Sequence, residues 1–286
     1  MTPPILRFAP SPNGRLHLGH AYAALFADRA ARALGGTMLL RIEDIDRARC
    51  KPEFDAALRQ DLAWLGLSWP EPALRQSERF PAYAGAAARL RDRGLLYPCF
   101  CSRSAVAAAA SAKDPDGAPL YPGTCRHRDP AEAEARLAAG EPAQWRLRQD
   151  AARDAAGPLL AFVELDPVRL RAGTVAGDPV AARPELWGDA VLVRKDTPTS
   201  YHLAVVVDDA AQGVTHVTRG RDLFPATHLH RLLQALLGLP TPLYCHHRLI
   251  RDENQEKLAK SRSSPSLQSL REAGASPAAI RTRLGF

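Results

Sequence analysis

A chain of 286 residues is long enough, at about 150 residues per domain, for two domains or for one enlarged by an insertion. Its 46% apolar and 24% charged residues are ordinary globular usage, which excludes disorder, collagen-like repetition and coiled coil. Lys and Arg outnumber Asp and Glu by 38 to 31, and the resulting charge of +7 suits a polyanionic partner such as nucleic acid without requiring one.

In chain order, residues 5–9 read as a short buried strand, and the Pro/Gly-rich stretch 10–14 after it reads as a turn. Residues 18–34, rich in Ala and Leu, form a helix that ends at Gly35-Gly36, and 37–42 is a second apolar strand. Strand, helix, strand is the unit of a parallel sheet. Two further helices are expected at 52–65 and 81–93, each followed by glycine. From about 99 to 195 the chain becomes Ala-rich and Pro/Gly-interrupted, with short β-like pieces at 144–148 and 190–194, and reads as an insertion. The α/β pattern then resumes with strands at 201–207, 214–219 and 243–250 around an amphipathic helix at 225–237, and a serine-rich loop at 261–269 follows. Apolar runs such as 203–207 fall far short of the ~20 residues of a bilayer crossing, and the N-terminus lacks the pattern of a secretory signal. No membrane span and a cytoplasmic location are therefore expected.

Two stretches and one cysteine group could carry chemistry. His17-Leu-Gly-His20 stands where the first helix begins, so two imidazoles and the helix dipole can meet phosphate, and Gly19 allows close approach. In the alternative reading one of these histidines caps the helix and the other is a surface residue. Lys257-Leu-Ala-Lys-Ser261 places two lysines on a polar loop, able to reach a nucleotide's phosphates. Three of the five cysteines, Cys99, Cys101 and Cys125, lie close together in sequence, a pattern of a metal site more than of a disulfide framework. The fold class expected is thus α/β: a Rossmann-type, doubly wound parallel nucleotide-binding domain split by an insertion domain that carries the cysteine group. Its parts would be 1–98 as first catalytic half, 99–195 as insertion, 196–262 as second half with the lysine loop, and 263–286 as a C-terminal tail.

Arg7-Phe-Ala-Pro-Ser-Pro-Asn-Gly14, His17-Leu-Gly-His20, Arg41-Ile-Glu-Asp-Ile-Asp46 and Lys257-Leu-Ala-Lys-Ser261, in this order, resemble the signature series of class I aminoacyl-tRNA synthetases, above all the catalytic half of glutamyl-tRNA synthetase. Val205-Val-Val-Asp-Asp209 and Thr215-His-Val-Thr-Arg-Gly-Arg-Asp-Leu223 are similar to its second half. Against the HIGH and KMSKS patterns the chain has Leu18 for Ile and Leu258-Ala259 for Met-Ser, with both histidines and both lysines kept.

The resemblance implies an L-glutamate pocket of Arg7, Ser11, Glu43, Tyr201 and Arg219, and an ATP site of His17, Gly19, His20, Lys257 and Lys260, with His17, His20 and Lys260 stabilising developing charge and Mg²⁺ accompanying ATP. The residue chemistry agrees, since fixed guanidiniums suit two carboxylates and a carboxylate suits an ammonium. The structural alternatives are ion pairs of Arg7 or Arg219 with Glu43 or Asp222, and a buried role for Tyr201. Cys99, Cys101, Tyr121 and Cys125 resemble the family's CxC…YxxxC zinc site, with His127 as an alternative fourth donor. A full member continues into an anticodon-binding region that the residues after Lys260 cannot supply. The truncated branch of the family implies tRNA-independent glutamate activation and transfer to the queuosine base in the anticodon stem-loop of tRNA(Asp). On this expectation the protein is a monomer, and Arg148, Arg153, Arg169 and Arg171 are candidates for RNA phosphates. A minimal enzyme acylating a tRNA 3′ end and a non-catalytic RNA-binding module are the competing readings.

Overall fold

A computed structural model describes residues 3–251 and 265–286. β1 (Ile5–Phe8) leads through α1 (Leu18–Ala33) to β2 (Thr37–Ile42), and α2 (Pro52–Trp64) leads on to the short β3 (Leu74–Arg75). These strands form a parallel sheet in the order β1-β2-β3, with Ile5 opposite Thr37 and Arg41 opposite Leu74. After α3 (Phe80–Asp92) come β4 (Leu96–Cys99), α4 (Arg103–Ala109), α5 (Pro130–Ala138), β5 (Gln144–Leu147), α6 (Gln149–Ala156), β6 (Ala161–Leu165), α7 (Pro167–Arg171), β7 (Gly177–Ala181) and β8 (Val191–Val193). The chain ends with α8 (Tyr201–Ala211), β9 (His216–Gly220), α9 (Phe224–Leu237), β10 (Leu243–His247), α10 (Leu267–Glu272) and α11 (Pro277–Leu284).

A second sheet has the order β7-β6-β10-β9, parallel except for the β6–β7 pair. It abuts the first at β1 and β9, where the Thr215 amide donates to the Ile5 carbonyl at 2.9 Å and the Ile5 amide donates to Thr215 Oγ1 at 2.9 Å. Strand order runs outward from this seam in both directions, so the crevice beyond the carboxyl ends of β1 and β9 is a topological switch point, where open α/β sheets bind ligands. One apolar core surrounds α1, around Leu6, Phe26 and Ile42, and a second lies between α3, α8 and α9, around Leu203 and Leu229.

Several local expectations are corrected. Residues 201–207 are the start of α8, not a strand. Ser200 caps it, its hydroxyl accepting from the Leu203 amide, and Leu203, Ala204, Val205 and Val206 are all buried. A helix packed on several sides tolerates a run of Val, because tertiary burial outweighs a weak local preference. The stretch 99–195 is divided between sheets: β4, β5 and β8 make a separate antiparallel sheet, while β6 and β7 join β10. The strand expected at 243–250 ends at His247. The last residues, expected as a tail, are two helices, α10 against α2 and α11 against α1, with Leu267, Ile280 and Leu284 buried and Arg281 donating to the Leu65 carbonyl at 2.7 Å. Among the described residues, no helix is long and apolar enough to cross a membrane.

Candidate active site

A cavity of about 730 Å³ opens at the switch point and is lined by Arg7, Ser11, His17, Gly19, His20, Glu43, Tyr201 and Arg219. The structure thus brings together eight of the ten residues expected for the glutamate and ATP sites. Lys257 and Lys260 lie outside the described residues.

The base of the cavity is a charge lattice set by strand ends. Arg7, next to last on β1, donates Nε to Asp209 Oδ1 at 3.0 Å and Nη1 to the Thr218 carbonyl at 3.1 Å. Arg41 on β2, fully buried, donates to the same Asp209 oxygen at 2.6 Å and to Glu43 Oε1 at 3.1 Å. Burial alone would raise the Asp209 carboxyl, but the Arg7 and Arg41 charges outweigh it and hold it below the usual range. Burial is also the largest influence on Glu43, and Arg41 and Arg7 offset it only in part, so Glu43 stays above the ordinary carboxylate value.

Arg219, near the end of β9 and 5% exposed, is placed differently. Its guanidinium donates Nε to His246 Nε2 at 3.0 Å, Nη2 to Thr227 Oγ1 at 2.6 Å and Nη1 to Tyr201 Oη at 3.4 Å, and Nη1 also lies 3.2 Å from His230 Nδ1. Neither Arg219 nor Arg7 pairs with Glu43 or Asp222 as the structural alternative required; Arg7 takes Asp209, and Arg219 forms no salt bridge among the described residues. Tyr201, the first residue of α8, is half-buried against the Arg219 head group.

At the mouth, His17 is the N-cap of α1. Its Nδ1 accepts from the Gly19 amide at 3.1 Å, and His20 Nδ1 accepts from the His17 amide at 3.2 Å. Capping by one histidine is therefore realised, while the second, expected at the surface, is half-buried and joins the same cap, and this arrangement sets the tautomer. With Nδ1 accepting, the ring proton sits on Nε2 in both histidines, so each is a donor at Nε2. Gly19 is needed for the packing of this pair, because a Cβ there would lie 2.9 Å from His17 Cε1. Ser11 Oγ is 3.6 Å from Cys50 Sγ.

A second cavity, of about 910 Å³, shares Tyr201 with the first and is bounded by Cys101, Tyr121, Arg146, Trp187 and His202. Cys101 on its wall belongs to a cluster in which the Sγ atoms of Cys99, Cys101 and Cys125 lie within 4.8 Å of one another, the one such cluster among the described residues. The Tyr121 hydroxyl is 3.4 Å from Cys99 Sγ and 3.8 Å from Cys101 Sγ, and accepts from the Cys125 amide at 2.7 Å. His127 is exposed and outside the cluster. The 3.7 Å between Cys101 and Cys125 Sγ matches the ~3.8 Å edge of a tetrahedron with ~2.3 Å metal–sulfur bonds, so the donor set fits a divalent metal. Burial raises the Cys99 thiol, but hydrogen bonds from Tyr121, Gln144 and Arg146 outweigh it and bring it to about 7, favouring the metal-binding thiolate.

Sequence reasoning missed Asp209, Arg41, Thr227, His230 and His246. The signal for Asp209 was present in Val205-Val-Val-Asp-Asp209, but reading that segment as a strand removed the helical spacing that puts Tyr201 at one end of α8 and Asp209 two turns on. Of the candidate RNA-contacting arginines, Arg148 donates to the Arg126 carbonyl and Arg171 to the Gly285 carbonyl, while Arg153 and Arg169 are exposed.

The sequence matches the family model described as tRNA synthetases class I (E and Q), catalytic domain, over residues 5–285. It is 52% identical to a glutamyl-Q tRNA(Asp) synthetase of Rhodobacter capsulatus, covering 99% of this chain and 100% of that protein. It is 38% identical to a glutamate–tRNA ligase of Aquifex aeolicus over 96% of this chain and 55% of that protein. Among solved structures, a glutamate tRNA ligase from Elizabethkingia meningosepticum in complex with its amino acid superposes with a TM-score of 0.76 at 26% identity, over 100% of this chain. The chain spans 61% of the length of that structure.

Proposed function

The chain belongs to the class I tRNA synthetases for glutamate and glutamine, matched by their catalytic-domain model across residues 5–285, and from that membership we propose that it activates L-glutamate with ATP, without tRNA, and transfers it to the queuosine base of tRNA(Asp). The observation that carries the activation step is the meeting, in one cavity, of the His17-Leu-Gly-His20 helix start with Arg7, Glu43, Tyr201 and Arg219. The acceptor follows the 52% identical relative named glutamyl-Q tRNA(Asp) synthetase.

In this reading Arg219 and Arg7 receive the substrate's carboxylates and Glu43 its ammonium, with Ser11 and Tyr201 completing the pocket. An α-carboxylate oxygen attacks the α-phosphorus of ATP, the bond to the β-phosphate oxygen breaks, and pyrophosphate leaves, giving glutamyl-adenylate. His17 and His20, donating from Nε2 at a helix N-terminus, and Lys257 and Lys260 stabilise the growing negative charge. ATP enters as its magnesium complex, so Mg²⁺ belongs to the substrate. A hydroxyl of the acceptor base then attacks the activated carbonyl, AMP departs with the bridging oxygen, and the hydroxyl proton passes to solvent. Cys99, Cys101, Cys125 and Tyr121 hold Zn²⁺, whose part is structural. The +7 charge favours the RNA partner, which suits salt-sensitive binding.

The test is glutamate-dependent ATP–pyrophosphate exchange without tRNA, followed by transfer of labelled glutamate to tRNA(Asp) whose 3′-terminal adenosine has been removed. Exchange, with label retained on queuosine-containing tRNA lacking its end, is the expected result. Label only on tRNA with an intact 3′ end would make the protein a charging enzyme, and absence of exchange would leave a binding module.

A further inference from the structure

The four acceptors around Arg219 are themselves held by an outer layer that the glutamate pocket does not touch. His246 accepts from Arg219 Nε at Nε2 and therefore carries its proton on Nδ1, which faces Glu164 Oε2 at 2.7 Å, while the His246 amide donates to Glu164 Oε1 at 2.8 Å. His230 takes Arg219 Nη1 at Nδ1 and so presents Nε2–H to His202 Nδ1, 3.2 Å away, and the His202 ring meets Trp187 edge-on at 4.7 Å. The Tyr244 ring centroid lies 5.5 Å from the guanidinium carbon. Burial, together with the Arg219 charge, pushes His230 well below its ordinary value and His202 to about 4; burial also takes His246 to about 4 against the pull of Glu164. Every group touching the guanidinium is thus uncharged, and the Glu164 carboxylate is reached only through His246. A buried arginine is normally neutralised by a carboxylate, as Arg41 is by Asp209 and Glu43, whereas Arg7 only shares that Asp209 oxygen with Arg41 and so keeps part of its charge.

We infer that Thr227, His230 and His246 are positioning residues that fix the Arg219 guanidinium by neutral contacts alone, keeping its charge for a substrate carboxylate. The inference rests on the glutamate reading above. It differs from a merely structural role in one respect: a carboxylate in the cage would satisfy the guanidinium at least as well, yet would occupy the charge the substrate needs.

The decisive pair is His230→Asn against His230→Asp, which place side chains of equal shape where Nδ1 now accepts and differ only in charge. By glutamate-dependent exchange, the Asn chain is expected to keep a glutamate KM close to that of the unsubstituted protein, and the Asp chain to raise it about tenfold or more, the scale of one charge-assisted contact. The KM for ATP should be unchanged in both, and thermal melting should rank Asp no lower than Asn. Equal glutamate KM values for the two would overturn the inference. Should the His230 variants not fold, Thr227→Val carries the same test, because it removes the Nη2 acceptor at constant shape; an unaltered glutamate KM would again overturn it. No exchange in the unsubstituted protein would instead overturn the activation reading, which separates the two failures.

Discussion

Asp209 shows how much a single side chain holds in place. One of its oxygens receives both Arg7 and Arg41. Replacing it by Asn leaves two buried guanidiniums short of their counter-charge, and Asp209→Asn should lower the unfolding free energy by about 3 kcal/mol, measured from urea midpoints at neutral pH. The pH dependence has a definite sign. The folded carboxyl is depressed, so its contribution is complete above the unfolded value of ~3.9 and is lost as pH falls through the lower folded value. The substituted chain should therefore lose less stability than the natural one on acidification in that range. Glu43 is shifted the other way, raised chiefly by burial. It protonates more readily than an ordinary glutamate, and only its ionised form pairs with an ammonium. The glutamate KM in the exchange reaction should accordingly begin to rise on acidification at a higher pH than an ordinary glutamate would give, and a flat profile would remove Glu43 from the ammonium site. At this scale residue chemistry and motif order were enough to bring Arg7, Glu43 and Arg219 to one cavity. It was silent on Thr227, His230 and His246, because a histidine in an apolar helix or strand looks the same whether it faces a core or a guanidinium.

Among elements, α8 was misread and α1 was read well, for connected reasons. The α1 segment announces itself by alanine content, a glycine stop and no β-branched run. The α8 segment carries three consecutive Val residues, and what decides its state is Ser200 at its start together with burial against α3 and α9. Ser200→Ala is expected to cost about 1 kcal/mol of stability and, by loosening the turn that presents Tyr201, to raise the glutamate KM; denaturation and exchange measured on one preparation would show both effects. For α1, Gly19→Ala drives a methyl group into the His17 ring, which must then turn. A rise in the ATP KM between about tenfold and hundredfold, with no fall in melting temperature, is expected, and unchanged ATP kinetics would dissociate this helix start from the triphosphate.

For the whole molecule, the order of the motifs made the α/β class and the place of the site legible, whereas the division of 99–195 between sheets was not. β6 returns to pair with β10, some 80 residues further on, and nothing local in Ala161–Leu165 encodes so distant a partner. The cysteine cluster borders the second cavity and not the one holding Arg7 and His17. Protein purified without chelator should carry zinc, and stripping it should lower the melting temperature and impair transfer to tRNA more than glutamate-dependent exchange; equal loss of both would place the metal's influence in the first cavity. The seam between β1 and β9 has a consequence for biogenesis. Ile5 and Thr215 stand 210 residues apart, so a nascent chain exposes its first strand long before the strand that completes the crevice has been translated. Contacts of such separation form late. During refolding, amides of β1 should gain protection from hydrogen exchange in step with those of β9 and after those of α1, and a stalled, partly synthesised polypeptide would possess His17 and His20 yet lack the strand that completes the cavity they line.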